Sequence, residues 1–342
     1  MTTTEAPALA ALLDEPPPVA LTYRRTVDRT VVHRRNLAEV FLTDLVAQPD
    51  GRFSVGAQLP AAHPYYADHV AGHRLDPLLL LECCRQAETM GAHEVLRLAL
   101  DTKFVLMNWA MDLDEQALAE PAPGPAELAI DVFPHTASLR GKEIRGMSYD
   151  MTMRIGAQVI GSTQLTVGYL PGTLYRAMRV RQRGDQPPSS DAFEAPIGVQ
   201  LFPPYSVGRT DLRNVVVADR SDVDGELLAR LLPPTTHPSM FDHALDHVPG
   251  MVLMEAARQL AVAATDEPRG RAARTVLTGL AAKFHHHTEL DAPVELRARP
   301  GALLAPIGDY LPPQPVEVTV VQDGKVTADI AVTVSNRPGA RR

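Results

Sequence analysis

Two stretches of the chain are apolar on almost every helical face. In the first, residues 78–81 with Cys83, Cys84, Ala87 and Met90 leave little polar surface; in the second, residues 251–254 with Ala256, Ala257 and residues 260–264 do the same. Such stretches predict helices buried all round. Asp76 before Pro77 offers an N-cap and a residue tolerated in a first turn, while Pro249-Gly250 opens the second helix. Elsewhere the pattern changes to alternation. Residues 153–159, 163–167, 316–320 and 328–334 place apolar side chains at every second position, the period of half-buried strands. Against this apolar background each buried helix carries an acid and a base three apart, Glu82 with Arg85 and Glu255 with Arg258. That spacing puts each pair on one side of its helix. Burying such charges costs several kcal/mol each unless they are paired.

The helices belong to a repeat. His63-Pro64, Asp68-His69 and His73 followed by Glu82, Arg85 and Gln86 recur as His237-Pro238, Asp242-His243 and His247 followed by Glu255, Arg258 and Gln259. The likeness extends outward: residues 32–34 and 40–44 match 207–209 and 215–219, and Lys103-Phe104 is taken to mirror Lys283-Phe284. A period this long means two packed units, not a solenoid. We therefore expect a flexible arm at residues 1–20, one domain at 21–172, a linker at 173–205 and a second domain at 206–336. Strands around one long apolar helix, with a polar loop leading into it, predict an α+β tandem double hotdog: two antiparallel sheets, each wrapping a central helix.

Composition narrows the function. With 342 residues, 45% of them hydrophobic, two domains can each bury a core. A formal net charge of −8 argues against general nucleic-acid binding. The basic run Arg176, Arg179, Arg181, Arg183 is expected to face solvent or an acidic partner. No apolar run is long enough for a membrane span and the N-terminus lacks signal-peptide character, so a cytoplasmic protein is expected. Cys83 and Cys84 form no disulfide framework or zinc spacing, and Cys84, with Ala257 at its counterpart, reads as core packing instead of an acyl-accepting nucleophile. His69, His73, His243 and His247 lack the thiolate or carboxylate set that would complete a metal site, and no metal or cofactor is expected. Asp242 and Asp246 read as residues that orient imidazoles or cap the turn, and His63 and His237, before proline, as loop-bonding residues. The run His285-His286-His287 is expected on the surface or lining a channel.

Residues 241–259, together with 32–34, 38–44 and 76–80 with Arg85-Gln86, resemble the A-factor biosynthesis family, the γ-butyrolactone synthases of actinomycetes, over most of residues 30–336. A more distant similarity is to hotdog dehydratases of acyl carrier protein: Gly250 and Glu255 keep those enzymes' turn-to-acid spacing, but Phe241 stands where their histidine would, with His243 the nearest candidate. The family resemblance implies an acyltransferase that moves a β-ketoacyl group from acyl carrier protein to the hydroxyl of dihydroxyacetone phosphate, in making a signalling butyrolactone, butenolide or furan. Direct transfer, without a covalent enzyme intermediate, is expected. Gly250 and Met251 at a helix start would hold the thioester oxygen, and Glu255 or His243 would take the hydroxyl proton, burial raising the Glu pKa toward a useful range. Arg258 would bind phosphate or hold Glu255 in aim. Glu82 is a second catalytic candidate, and Arg85, His247, His69 and Gln259 are candidate substrate-binding residues. A thioesterase or dehydratase, and a non-catalytic acyl- or butyrolactone-binding protein, are the competing readings. A homodimer, or a site composed from both halves, is compatible with the sequence.

Overall fold

The computed structural model describes residues 20–70, 75–114, 125–266, 272–305 and 312–336; His73 and most of the expected N-terminal arm lie outside them. Within these residues the order ββαββββ occurs twice. The first copy runs β1 (Leu42–Ala47), β2 (Phe53–Leu59), α1 (Pro77–Glu94), β3 (Lys103–Leu113), β4 (Ala126–Arg140), β5 (Glu143–Ile155) and β6 (Gln158–Leu170). Helix α2 (Gly172–Arg183) leads to the second copy: β7 (Val217–Val223), β8 (Glu226–Leu231), α3 (Gly250–Thr265), β9 (Thr275–Phe284), β10 (Val294–Pro300), β11 (Gln314–Gln322) and β12 (Lys325–Asn336).

The chain builds the expected double hotdog, with one difference in the sheets. Two were expected; the strand order β1-β2-β4-β5-β6-β3-β9-β12-β11-β10-β8-β7 is a single antiparallel sheet that reads the same from both ends. The halves join where β3 meets β9, with Asn108 opposite Lys283 and Asp112 opposite Gly279. An edge strand presents unpaired N–H and C=O groups, and here each copy covers the other's edge. The supposed match of Lys103-Phe104 with Lys283-Phe284 is corrected by the same topology. The first pair opens β3 and the second closes β9, so they occupy opposite ends of equivalent strands.

Both predicted helices form and are buried. Asp76 caps α1 by accepting from Leu78 N at 2.7 Å, and the helix packs on β1, β2 and β4. It approaches the sheet so closely that a Cβ at Gly91 would stand 2.2 Å from Phe53 Cζ. Helix α3 packs likewise on β8, β10, β11 and β12. The basic run around α2 is only half as exposed as its sequence suggests. Arg176 and Arg181 are exposed, but Arg179 is 1% exposed and bonds Asp246 and Glu289, while Arg183 lies 2.6 Å from Glu289 and from Asp291. These acids come from the second copy, which removes the need for an outside partner. Among the described residues no helix is long and apolar enough to cross a membrane.

Candidate active site

Each histidine motif is carried over to the opposite copy. Asp68, after β2, accepts from the backbone of Thr210 at 2.9 Å and Asp211 at 3.2 Å in the second copy. Asp242, after β8, accepts from Arg35 N at 2.5 Å and Asn36 N at 2.8 Å in the first. Paired backbone amides fix a carboxylate in place and orientation. The histidines before proline hold their own loops: His63 Nδ1 accepts from Tyr65 N and Tyr66 N, and His237 Nδ1 from Ser239 N and Met240 N. Two centres result, one over α1 roofed by the second motif and one over α3 roofed by the first.

The centre over α1 opens into a cavity of ≈ 1580 Å³, lined by Arg34, Glu82, Arg85, His243, Gly250 and Met251 among others. Glu82 Oε1 accepts from Arg34 Nε at 3.1 Å and Nη2 at 2.5 Å, and Oε2 from Arg85 Nε at 2.9 Å. Burial alone would raise its pKa, but the Arg34 and Arg85 guanidiniums outweigh that and hold the carboxyl down at about 2. Glu82 is therefore an anion that aims two cations, and is too weak a base to take a proton near neutrality. Above it His243 Nδ1 lies 3.5 Å from Asp242 Oδ2, with a third of the imidazole exposed. Beside it α3 begins without any side-chain cap. Its helical bonds start with Val252 N and Leu253 N to Pro249 O, so Gly250 and Met251 have no acceptor within the helix. A Cβ at Gly250 would stand 3.0 Å from Leu106 and 3.2 Å from Phe284, so a side chain there would press on this wall of the cavity.

From here the cavity runs past Phe104, Leu106, Trp109, Leu165 and Val167, an apolar wall supplied by β3 and β6. Another part is lined by Tyr175, His247 and His287. There His247 Nδ1 is 2.6 Å from Asp246 Oδ1, which also accepts from Tyr175 OH at 2.9 Å. His287 packs edge-on to His247 at 4.8 Å, and burial followed by the His247 and Arg179 charges lowers it to about 3. Among the further acids that line the cavity, Glu88 stands beside Arg85 and Tyr169. Burial raises Glu88 to about 7, against the opposing hydrogen bond from Tyr169 OH and the Arg85 charge.

The centre over α3 has the same parts and is closed. Glu255 is fully buried and accepts from Arg209 Nε at 3.1 Å, Arg258 Nε at 2.9 Å and Gln259 Nε2. Burial would raise it, yet Arg209 and Arg258 lower it instead. Asp76, the cap of α1, fills the space that is open in the other centre. Its Oδ1 accepts from Leu78 N, and its Oδ2 lies 3.2 Å from His69 Nε2 and 3.5 Å from Arg209 Nη1. Arg209 is further covered by Tyr65, whose ring centre is 4.6 Å from the guanidinium carbon. Asp76 and Glu255 both face Arg209 here; over α1, Glu82 binds both Arg34 and Arg85.

Comparison with known proteins places this architecture. Residues 19–171 and 195–336 match the A-factor biosynthesis hotdog domain. The chain belongs to that family. It is 35% identical to the 2-oxo-3-(phosphooxy)propyl 3-oxoalkanoate synthase of Streptomyces virginiae over 278 residues, 80% of this chain and 87% of the relative. The synthase of the same name from Streptomyces coelicolor is 31% identical over 281 residues, 80% and 83% of the two chains. Among solved structures, the pyran synthase domain from module nine of the sorangicin pathway aligns with TM-score 0.47 at 14% identity, over 90% of this chain and all of that one.

The structure separates the expected site residues into two groups. Glu255, Arg258, His69 and Gln259 do not line the large cavity. Gln259 binds the second copy's backbone, Oε1 accepting from Val216 N and Nε2 donating to Asn214 O. The anticipated rise of a catalytic Glu pKa is reversed at both Glu82 and Glu255, because two guanidiniums stand on each. His243, Gly250, Met251, Glu82, Arg85 and His247 do line the cavity, the first three opposite the helix of the other copy. Arg34 was missed as a site residue; its signal was the recurrence of Arg at 34 and 209 in both repeats. Cys83 and Cys84 are fully buried, and burial pushes both thiols up. Among the described residues no group of three or more His, Cys, Asp and Glu is placed to hold a metal ion.

Proposed function

We propose that the chain transfers a 3-oxoacyl group from the thioester of an acyl carrier protein to the hydroxyl of dihydroxyacetone phosphate, giving the 2-oxo-3-(phosphooxy)propyl 3-oxoalkanoate named in its relatives. The observation that carries this reading is the meeting, in one cavity, of an Asp242–His243 pair, the uncapped start of α3 and the Arg34–Glu82–Arg85 cluster. His243, with Nδ1 toward Asp242, presents Nε2 as general base for the hydroxyl. The N–H groups of Gly250 and Met251, at the positive end of a helix, meet the oxygen that turns negative as the carbonyl is attacked. Arg85, with a quarter of its side chain exposed, and Lys103, which also lines the cavity, supply charge for the phosphate. The apolar wall of β3 and β6 accommodates the acyl chain.

Attack forms the ester C–O bond while the hydroxyl proton passes to His243; collapse breaks the C–S bond and the imidazolium returns the proton to the thiolate. No residue need be acylated. Purified protein incubated with a 3-oxoacyl carrier protein and dihydroxyacetone phosphate should yield the phosphorylated ester by mass spectrometry. Free 3-oxo acid or unchanged thioester as the sole outcome contradicts the proposal.

A further inference from the structure

The closed centre over α3 contains a built-in copy of what the open centre is made to hold. Asp76 presents two oxygens on one carbon. One sits on the second helical N–H of α1, Leu78 N, at 2.7 Å; the other lies between His69 Nε2 at 3.2 Å and Arg209 Nη1 at 3.5 Å. Each of these has a counterpart by repeat position in the open centre. Leu78 corresponds to Met251, His69 to His243 and Arg209 to Arg34, whereas the cap position itself, Asp76, is taken by Pro249. The match extends to individual atoms. Arg209 turns Nε and Nη2 to its glutamate, while its Nη1 donates to Tyr65 O at 2.8 Å and Asp68 O at 3.1 Å and lies 3.5 Å from Asp76 Oδ2. Arg34 turns Nε and Nη2 to Glu82, and Arg34 lines the cavity with nine-tenths of its side chain buried.

Resting on the reaction proposed above, and naming a further catalytic residue for it, we propose that Arg34 Nη1 and His243 Nε2 together hold the attacking hydroxyl oxygen of the acceptor, while Met251 N–H holds the former carbonyl oxygen. A tetrahedral intermediate carries both oxygens on a single carbon, spaced much as in a carboxylate, so Asp76 occupies in the closed centre the place of that intermediate in the open one. The guanidinium favours the hydroxyl oxygen as it loses its proton to His243, and the helix start favours the oxygen that gains charge. Proline at the cap of α3 keeps the position empty for substrate. The closed copy has lost it to its own carboxylate.

Installing that carboxylate in the open centre tests the assignment. In the full chain, Pro249→Asp should cap α3 and raise the melting temperature by about 2 °C, while turnover of 3-oxoacyl carrier protein with dihydroxyacetone phosphate falls at least a hundredfold. The gain in melting temperature should drop by at least half in a His243→Gln background, a coupling that an isolated cap would not show. Parental turnover in Pro249→Asp, or a melting-temperature gain independent of His243, overturns the assignment. An inactive parent chain would sink the reaction itself, and the melting-temperature cycle would still decide whether the three groups form an anion site.

Discussion

At the residue scale, two glutamates six positions apart on α1 are driven in opposite directions by their neighbours. Glu82 is held down to about 2 by Arg34 and Arg85 despite burial. A folded pKa below the ordinary glutamate value of 4.5 adds stability that is fully present above that value and lost as pH falls toward 2. Glu82→Gln should therefore destabilise at pH 7 by about 3 kcal/mol, a gap that narrows on acidification, as measured by urea unfolding. Glu88 lies at about 7 because burial dominates. Its contribution has the opposite sign: present below 4.5 and lost as pH rises through 7. Glu88→Gln should be nearly neutral at pH 5 and more stable than the parent by about 1–3 kcal/mol at pH 8. A stability difference independent of pH would contradict the assignment. The sequence showed that Glu82 and Arg85 share a side of their helix, but the direction of the pKa shift needed Arg34, which lies 48 positions away in the chain.

At the element scale, the start of α3 is the part whose chemistry depends on an absence. Helix α1 is capped by Asp76, whereas α3 follows Pro249 with no side-chain cap, and its first two residues, Gly250 and Met251, line the cavity. Gly250→Ala puts a methyl group 3.0 Å from Leu106 and 3.2 Å from Phe284, a contact that can be relieved only by shifting the turn or the wall. We expect a stability loss of about 1–3 kcal/mol and a larger loss of turnover, on the order of tenfold to a hundredfold, since oxyanion donors act only at short range. Unchanged kcat would remove this turn from the mechanism. Both helices were legible from their apolar runs and proline starts, and the strands from their alternation. The fusion of two sheets into one was not, because pairing of β3 with β9 is a property of two edges meeting and leaves no local pattern.

At the scale of the whole molecule, the site belongs to neither half. The repeat places His243 and Glu255 in one motif, which made them natural partners in the sequence; in the fold the loop bearing His243 is clamped through Asp242 onto Arg35 and Asn36, over the helix of Glu82. We assign the conspicuous Glu255–Arg258 pair, buried away from the large cavity, a supporting role. Glu255→Ala should leave Arg258 buried without its ion-pair partner and Arg209 facing Asp76 alone, at a cost of about 3–5 kcal/mol in urea unfolding. A fully stable Glu255→Ala protein would contradict that role. The claim that one centre works and the other is closed is tested most directly by exchanging the two equivalent histidines separately and measuring turnover of 3-oxoacyl carrier protein with dihydroxyacetone phosphate. His243→Gln should lower kcat at least a hundredfold, and His69→Gln should stay within about threefold of the parent. An active His243→Gln beside an inactive, folded His69→Gln would place the reaction in the centre that we describe as closed.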